Sequence, residues 1–468
     1  MRPLEVALSI VLAVAALVWM TRASKRAKVS LLLVCVCVMV AHLVLEGGHW
    51  QMLSSYLAVI ALASGVVPSS PSFVRKIVTS GLVLLLCLTS VGFSYAIPMF
   101  SLPKPTGTYL VGTRVQYFHD DSRKEDVGND RGRSRELMVQ VWYPAAPSSD
   151  HLAPYRRWAE SKFKNSYQSV LWTNSRKDAP LASQGGPFPL ILYGHGWGAT
   201  RISDTFLAED LASHGYVVVA VDHPYNSGRV AFPDGRVIDG IDGSPILNMG
   251  IASADRTEAL WNMELQKWTA DHIFVLNVLQ SENLDPASFW HERLNTNLVG
   301  AFGHSFGGSA ALRICSVDPR VRSAINMDGW TFDGVRDRPS GKPMMFMYEV
   351  STDPQHVLRN SAIPAESVNA ELDVIDEKNV LDSLKQFGGY KLIISGARHV
   401  DFTDQPMVSP LRRVTHAGTI KADRMQTIVR NYVLSFFDKT LRKKDSSLLD
   451  SDRSKPFPEV DFNSWPAK

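Results

Sequence analysis

The stretch Leu298-Val299-Gly300-Ala301-Phe302-Gly303-His304-Ser305-Phe306-Gly307-Gly308 decides the reading of this chain. An apolar run enters Gly-x-Ser-x-Gly, and Ser309-Ala310-Ala311-Leu312-Arg313-Ile314 continues as a helix-compatible segment. Strand, sharp turn and helix is the context of a nucleophile elbow. Glycines on both sides of Ser305 leave room for a strained backbone that lifts the hydroxyl out of the turn. The helix that begins behind it offers free N–H groups to a developing oxyanion.

Outward from the elbow, the pattern alternates. Phe188–Tyr193 is a short apolar strand followed by His195-Gly196-Trp197-Gly198. Arg201–His214 reads as a helix, and Tyr216–Val221 as a buried strand ending in Asp222. The segment His223–Met249 is rich in Gly, Pro and Asp, with a turn expected at Pro233-Asp234-Gly235. Ala254–Gln280 is helical. Beyond the elbow come strands Ser323–Met327, Pro343–Tyr348 and Lys391–Ser395, with helices over Val374–Gln386 and Ala422–Thr440. Two β-like runs, Tyr109–Phe118 and Glu136–Tyr143, precede all of this, and Asp150–Gly186 reads as a polar and aromatic excursion, at an active-site mouth or elsewhere on the surface. Such alternation predicts an α/β fold, a mostly parallel sheet with helices on both faces, of the α/β-hydrolase kind.

The first hundred residues differ in composition. They hold seven Lys/Arg and two acidic residues, whereas the whole chain carries 49 basic and 46 acidic residues in 468. Four apolar segments, Val6–Met20, Val29–Leu45, Trp50–Val67 and Ile77–Phe100, approach the ~20 residues needed to cross a bilayer. A cleavable signal peptide would account for the first and not for the three behind it. The basic residues at 22–28 and Arg75-Lys76 belong in the cytoplasm. Four spans then put the N-terminus and everything after residue 103 outside; if the third segment fails to span, the catalytic part moves inside. The expectation is four spans and an extracytoplasmic domain. Pro103-Lys104-Pro105 marks the boundary, giving a membrane region 1–103, a hydrolase domain 104–445 and a mobile tail 446–468. Near-neutral charge excludes a nucleic-acid binder. Cys315 is the one cysteine beyond residue 100, so no disulfide forms within that part, and no Cys/His spacing predicts a metal.

A serine nucleophile needs a base, and the base needs an orienting acid. Asp328 ends the strand after the nucleophile helix, and His399 follows the strand Lys391–Ser395, so both belong at the sheet's carboxyl edge. Ser305, Asp328 and His399 also stand in the chain order of α/β hydrolases. His304 should pack instead of reacting, His272 lies within a helix, and His416 follows no strand. Asp222 precedes the elbow; Asp401 and Asp404 should shape the His399 loop. The oxyanion hole is expected from the backbone N–H groups of Trp197 and Phe306.

At this point the residues resemble a known family. Gly194–Ala199, Leu211–Val218, Gly303–Gly308, Asp328-Gly329-Trp330, Glu136–Pro144 and the His399 loop with Asp401-Phe402 are similar to the type II platelet-activating-factor acetylhydrolases, over roughly residues 107–440. The resemblance implies a triad at Ser305, Asp328 and His399 and oxyanion donors at Trp197 and Phe306. It also implies hydrolysis of short or oxidised sn-2 acyl chains of phospholipids without calcium or another cofactor. The chain departs from the secreted animal enzymes in its membrane region and in the bulk of Trp197. The expectation is a membrane-anchored serine esterase acting on lipid-like or short-acyl esters. A general carboxylesterase of soluble esters, of the dienelactone-hydrolase kind, is the alternative within enzymes, and a non-catalytic membrane sensor with a hydrolase fold the alternative outside them. The sequence leaves the oligomeric state open.

Overall fold

The computed structural model describes residues 1–66, 72–240, 253–335, 341–350, 358–362, 364–450 and 456–466. The expected Gly/Pro/Asp-rich segment therefore lies partly outside the described residues, from 241 onward. Contacts divide the chain into two units: residues 1–101, 154–172 and 406–415 form one, and the remainder forms the other.

The first unit is built on four helices, α1 (Pro3–Met20), α2 (Lys25–Ala41), α3 (Leu53–Val66) and α4 (Phe73–Ala96). A π-helical turn, His42–Gly47, extends α2. Pro3 opens α1 at a position where its missing N–H costs nothing, and the Ser24 and Ser72 side chains cap α2 and α4. Inside, Leu8, Leu12, Trp19, Cys35, Leu62 and Val83 pack together. Outside, Ile10, Leu17, Leu33, Val44, Leu45, Leu85 and Leu88 are more than half exposed. Hydrogen bonds tie the two ends of the bundle. At one end Gln51 Nε2 donates to the Ile97 carbonyl, and Arg2 Nη2 donates to that of Gly47, each at 3.1 Å. At the other end Arg75 Nη2 donates to the Ser64 carbonyl at 3.3 Å. The helices thus run alternately up and down. Among the described residues, three apolar helical stretches, Pro3–Met20, Lys25–Gly47 and Phe73–Ala96, are long enough to cross a membrane by length and composition. The expected third span, Trp50–Val67, begins in a 3-10 turn, Trp50–Met52, and the described part of α3 then covers 14 residues, about 21 Å of helix; Val67 lies outside the described residues. Ser54, Ser55 and Ser64 dilute its apolar run.

The second unit carries an 11-stranded sheet. Its strands are β1 (Leu110–Lys124), β2 (Ser134–Ala145), β3 (Leu152–Pro154), β4 (Trp172–Lys177), β5 (Phe188–Gly194), β6 (Val217–Asp222), β9 (Leu294–His304), β10 (Val321–Met327), β11 (Met344–Glu349), β12 (Gly389–Ile394) and β13 (Val460–Trp465), with β7 (Arg229–Ala231) and β8 (Val237–Asp239) forming a separate hairpin. The order is β13-β12-β11-β10-β9-β5-β6-β2-β1-β4-β3. From β12 to β6 all neighbours are parallel; β2 and β13 add antiparallel. Strands β5 and β6 are buried along their whole length, the pattern of central strands covered on both faces. The covering helices are α5 (Thr205–Ser213), α6 (Ala254–Leu284), α7 (Phe306–Val317), α8 (Pro364–Phe387) and α9 (Ala422–Arg442). The expected turn at Pro233-Asp234-Gly235 joins β7 and β8, with Gly235 at φ 87°.

One expectation fails at the C-terminus. Residues 460–465, expected to be mobile, pair with β12 from Gly389↔Trp465 to Ile394↔Val460. Phe462 stacks on Tyr390 and Tyr432, which is the apolar gain that holds an otherwise charged tail to the sheet.

The order of strands explains where the chemistry sits. The chain goes from β5 outward to β6, then returns to the other side of β5 as β9. That reversal makes a crevice at the carboxyl ends of β5 and β9. The loop His195–Ala199 leaves β5 there, and Ser305 follows β9.

Candidate active site

Ser305 stands between β9 and α7 at φ 55°, ψ −128°, a strained conformation for a residue with a side chain. Its N–H donates to the Met327 carbonyl at 2.8 Å, and its own carbonyl accepts from Gly308 at 2.8 Å. The turn closes only because its neighbours lack side chains. A Cβ on Gly307 would lie 2.0 Å from the Gly194 carbonyl oxygen, and one on Gly303 would lie 2.2 Å from the Gly307 carbonyl. Phe306 is the first residue of α7, so its N–H has no helical acceptor behind it.

Asp328 follows β10 at φ 58°. Its N–H donates to the Met347 carbonyl, and its Oδ1 accepts the Glu349 N–H at 3.0 Å. The other oxygen, Oδ2, lies 2.6 Å from His399 Nδ1. A carboxylate only accepts, so Nδ1 carries the proton and the free lone pair is on Nε2. Burial disfavours the charged imidazole, yet the hydrogen bond and charge of Asp328, with the charge of Glu349, hold the His399 pKa above its ordinary value. Glu349 itself is pushed up to about 7 by burial and by Asp328.

The expected rivals have other partners. Asp222 is buried against Arg201, accepting from its backbone N–H at 2.7 Å and from its guanidinium. Asp401 Oδ2 accepts the N–H groups of Arg398 and Gly418, each at 2.7 Å, and so shapes the His399 loop. Asp404 accepts the N–H groups of Thr205 and Phe206 at the start of α5. His304 does more than pack: its Nε2 lies 2.7 Å from the His399 carbonyl oxygen. Burial and the neighbouring His399 push its pKa down to about 3, so it stays neutral and donates that bond. His272 is occupied inside α6, its ring nitrogens facing the Trp268 and Tyr193 carbonyls.

The loop after β5 is clamped from behind. Gly198 N–H donates to the Asn226 carbonyl at 2.8 Å, Gly228 N–H to that of Ala199 at 2.7 Å, and His195 Nε2 meets Ser227 Oγ at 2.8 Å. Trp197 stacks on Trp268 at 6.0 Å, and Trp268 Nε1 donates to Asn226 Oδ1.

All five residues singled out in the sequence line one cavity of about 460 Å³: Trp197, Ser305, Phe306, Asp328 and His399. Trp261, Trp330 and Phe332 add aromatic wall. Glu349, Asp373 and Asp376 add carboxyl groups; Asp373 accepts Trp330 Nε1 at 2.7 Å and so fixes that indole. The sequence reading gave these no role. Glu349 ends β11 at the same carboxyl edge as Asp328, a position signal that could have found it; the two acids on α8 offered none.

A sheet of this order with a serine elbow at its switch point defines an α/β hydrolase. Comparison with known proteins sharpens the class. A family model, platelet-activating factor acetylhydrolase, isoform II, matches residues 98–456. The chain belongs to that family and is a carboxylic ester hydrolase. It is 28% identical over 403 residues to a probable 1-alkyl-2-acetylglycerophosphocholine esterase of Arthroderma benhamiae, covering 78% of this chain and 94% of the relative. It is 26% identical over 254 residues to the platelet-activating factor acetylhydrolase of Canis lupus familiaris, covering 49% of this chain and 55% of that one. Among solved structures, a ferulic acid esterase from Streptomyces cinnamoneus aligns over 78% of this chain and 99% of its own, with 29% identity and a TM-score of 0.61.

Proposed function

We propose that this chain is a membrane-anchored serine esterase of phospholipids carrying a short or oxidised sn-2 acyl chain. The observation that carries the reading is the 2.6 Å contact between His399 Nδ1 and Asp328 Oδ2 on the wall of the cavity that Ser305 lines. In this reading Ser305 Oγ attacks the ester carbonyl while His399 Nε2 takes its proton. Asp328 holds the tautomer and stabilises the imidazolium. The N–H groups of Trp197 and Phe306 receive the oxyanion. Collapse of the tetrahedral intermediate returns the proton from Nε2 to the departing alkoxide and leaves an acyl-Ser305. Water, deprotonated by the same nitrogen, then releases the acid.

The preference for phospholipid draws on the family and on the fungal and canine relatives. Aromatic walls at Trp197, Trp261 and Trp330 suit a short acyl chain excluded from water. The exposed apolar belt of the helical bundle supports a bilayer anchor. The up-and-down run of its helices supports an extracytoplasmic catalytic domain. The chain enters and leaves the bundle at one end, while the basic residues at 22–28 and Arg75-Lys76 lie at the other, where the cytoplasm attracts them.

The test is hydrolysis by the detergent-purified full chain and its Ser305→Ala variant. The substrates are p-nitrophenyl esters of increasing length beside a short-sn-2 phospholipid. Ser305-dependent turnover that favours the phospholipid supports the proposal. Turnover of short soluble esters alone replaces it with a general carboxylesterase, and no Ser305-dependent turnover by folded protein replaces it with a binding role.

A further inference from the structure

Within the first unit, one end of the helical bundle concentrates ionisable side chains in an otherwise apolar surrounding. Glu5, His42 and Gln51 are fully buried, and His49 nearly so. They come from three separate places: the first turn of α1, the π-helical turn after α2, and the chain just before α3. His42 Nδ1 lies 2.9 Å from Glu46 Oε2, and His42 Nε2 lies 2.8 Å from the Tyr56 hydroxyl. His49 Nε2 lies 3.1 Å from Glu5 Oε1, and His49 Nδ1 lies 2.9 Å from Gln51 Oε1. One ligand atom each from Glu5, His42 and Glu46 fall within 4.8 Å of one another.

Such groups are expensive to hold in an apolar bundle, and their convergence asks for a function. The π turn brings His42 and Glu46 together, and turns of that kind gather at functional sites. The charge is also unbalanced. Two carboxylates share one guanidinium, that of Arg2, whose Nε lies 2.6 Å from Glu5 Oε1 and 3.8 Å from Glu46 Oε2. We propose that Glu5, His42 and Glu46 form a binding site for a divalent transition-metal ion, zinc being the best match to one imidazole and two carboxylates. The partners of the ligands fit that use. Without the ion, His42 Nδ1–H donates to the Glu46 carboxylate; when the ion replaces that proton, the Tyr56 hydroxyl can accept from Nε2–H and so fix the tautomer that presents Nδ1, while His49 orients Glu5. Arg2 acts as the resident counter-charge. Its side chain is 22% exposed and also donates to the Glu46 and Gly47 carbonyls, so it can withdraw from the carboxylates toward those acceptors when the ion enters.

This site is independent of the esterase reading, and so is its test. The full chain is purified in detergent, stripped with chelator, loaded with zinc and freed of excess. Its metal content, its zinc affinity and its thermal unfolding are then measured. The expected result is about one zinc per chain, a higher unfolding temperature with zinc, and loss of both in His42→Ala and Glu46→Gln. Arg2→Gln separates a metal site from a structural ion-pair cluster. Removing the competing charge about 4 Å away should tighten zinc by ~tenfold or more. Far-UV circular dichroism of each variant reports that the chain is folded. Failure of the wild type and of Arg2→Gln to retain zinc, or cobalt or manganese in its place, overturns the proposal.

Discussion

His399 Nδ1 and Asp328 Oδ2 meet at 2.6 Å although 71 positions separate the two residues in sequence. Asp328 reaches that position in a left-handed turn, φ 58°, directly after β10, and its second oxygen is held by the Glu349 N–H. The carboxylate is therefore fixed before the imidazole is added. Asp328→Asn should keep the fold and offer Nδ1 an amide that can present its own N–H, favouring the wrong tautomer. We expect kcat to fall by about 10⁴-fold with KM little changed. Steady-state kinetics beside an unchanged unfolding temperature check it; a loss under tenfold would remove Asp328 from the base's support.

The base's titration gives a second prediction. As the proposed base, His399 must be neutral to accept the serine proton, so kcat/KM should rise with pH through the His399 pKa. That pKa sits above the ordinary value because Asp328 and Glu349 outweigh burial. Glu349→Gln removes one of the two raising charges, so the acid limb of the profile should move to lower pH. A limb that stays in place would take Glu349 out of the base's electrostatics.

The pocket wall yields a third. Trp330 is held by its indole hydrogen bond to Asp373 and lines the cavity beside Ser305. Trp330→Ala should widen the cavity and shift the chain-length profile toward longer acyl groups. Asp373→Asn, which keeps an acceptor for the indole, should shift it far less. Competition between p-nitrophenyl esters of two lengths measures the change as a ratio of kcat/KM values.

What could be read from the sequence follows how local its causes are. The elbow was legible because close packing of the turn demands glycine: Gly303 and Gly307 cannot carry a Cβ without striking backbone. That Asp328 and His399 would lie beside the crevice could be read from position, since a strand's carboxyl end faces it whatever its partners. The roles that escaped depend on approach across the fold. His304 supports the His399 carbonyl from 95 positions away, and β13 pairs with β12 through the Phe462 contact with Tyr390 and Tyr432. Neither leaves a periodic trace. The start of the apolar run Trp50–Val67 escaped for another reason: it is a 3-10 turn, which hydropathy does not distinguish from α-helix.

An ionic cluster linked through Trp268 to Phe306 on the cavity wall also escaped, and it carries the last prediction. Asp271 on α6 is fully buried, with Oδ2 2.7 Å from Arg135 Nη2 and 2.8 Å from His223 Nδ1. His223 in turn stacks on Trp268 at 3.9 Å, and Trp268 packs against Phe306, the residue after the nucleophile. Burial alone would raise the Asp271 pKa, but Arg135 and His223 overcome it and hold the group well below the usual carboxylate range. A depressed folded-state pKa contributes stability that is present above the unfolded value, near 4, and lost only as pH falls through the folded value. The contribution is therefore complete at neutral pH. Asp271→Ala leaves Arg135 buried beside Glu125 alone and takes the partner from His223. Breaking a buried pair from one side costs about 3–5 kcal/mol. Urea unfolding at pH 7 should show a loss of that size for Asp271→Ala, with kcat reduced as the packing against Phe306 loosens. A loss below about 1 kcal/mol would mean that the cluster is not what supports the cavity wall.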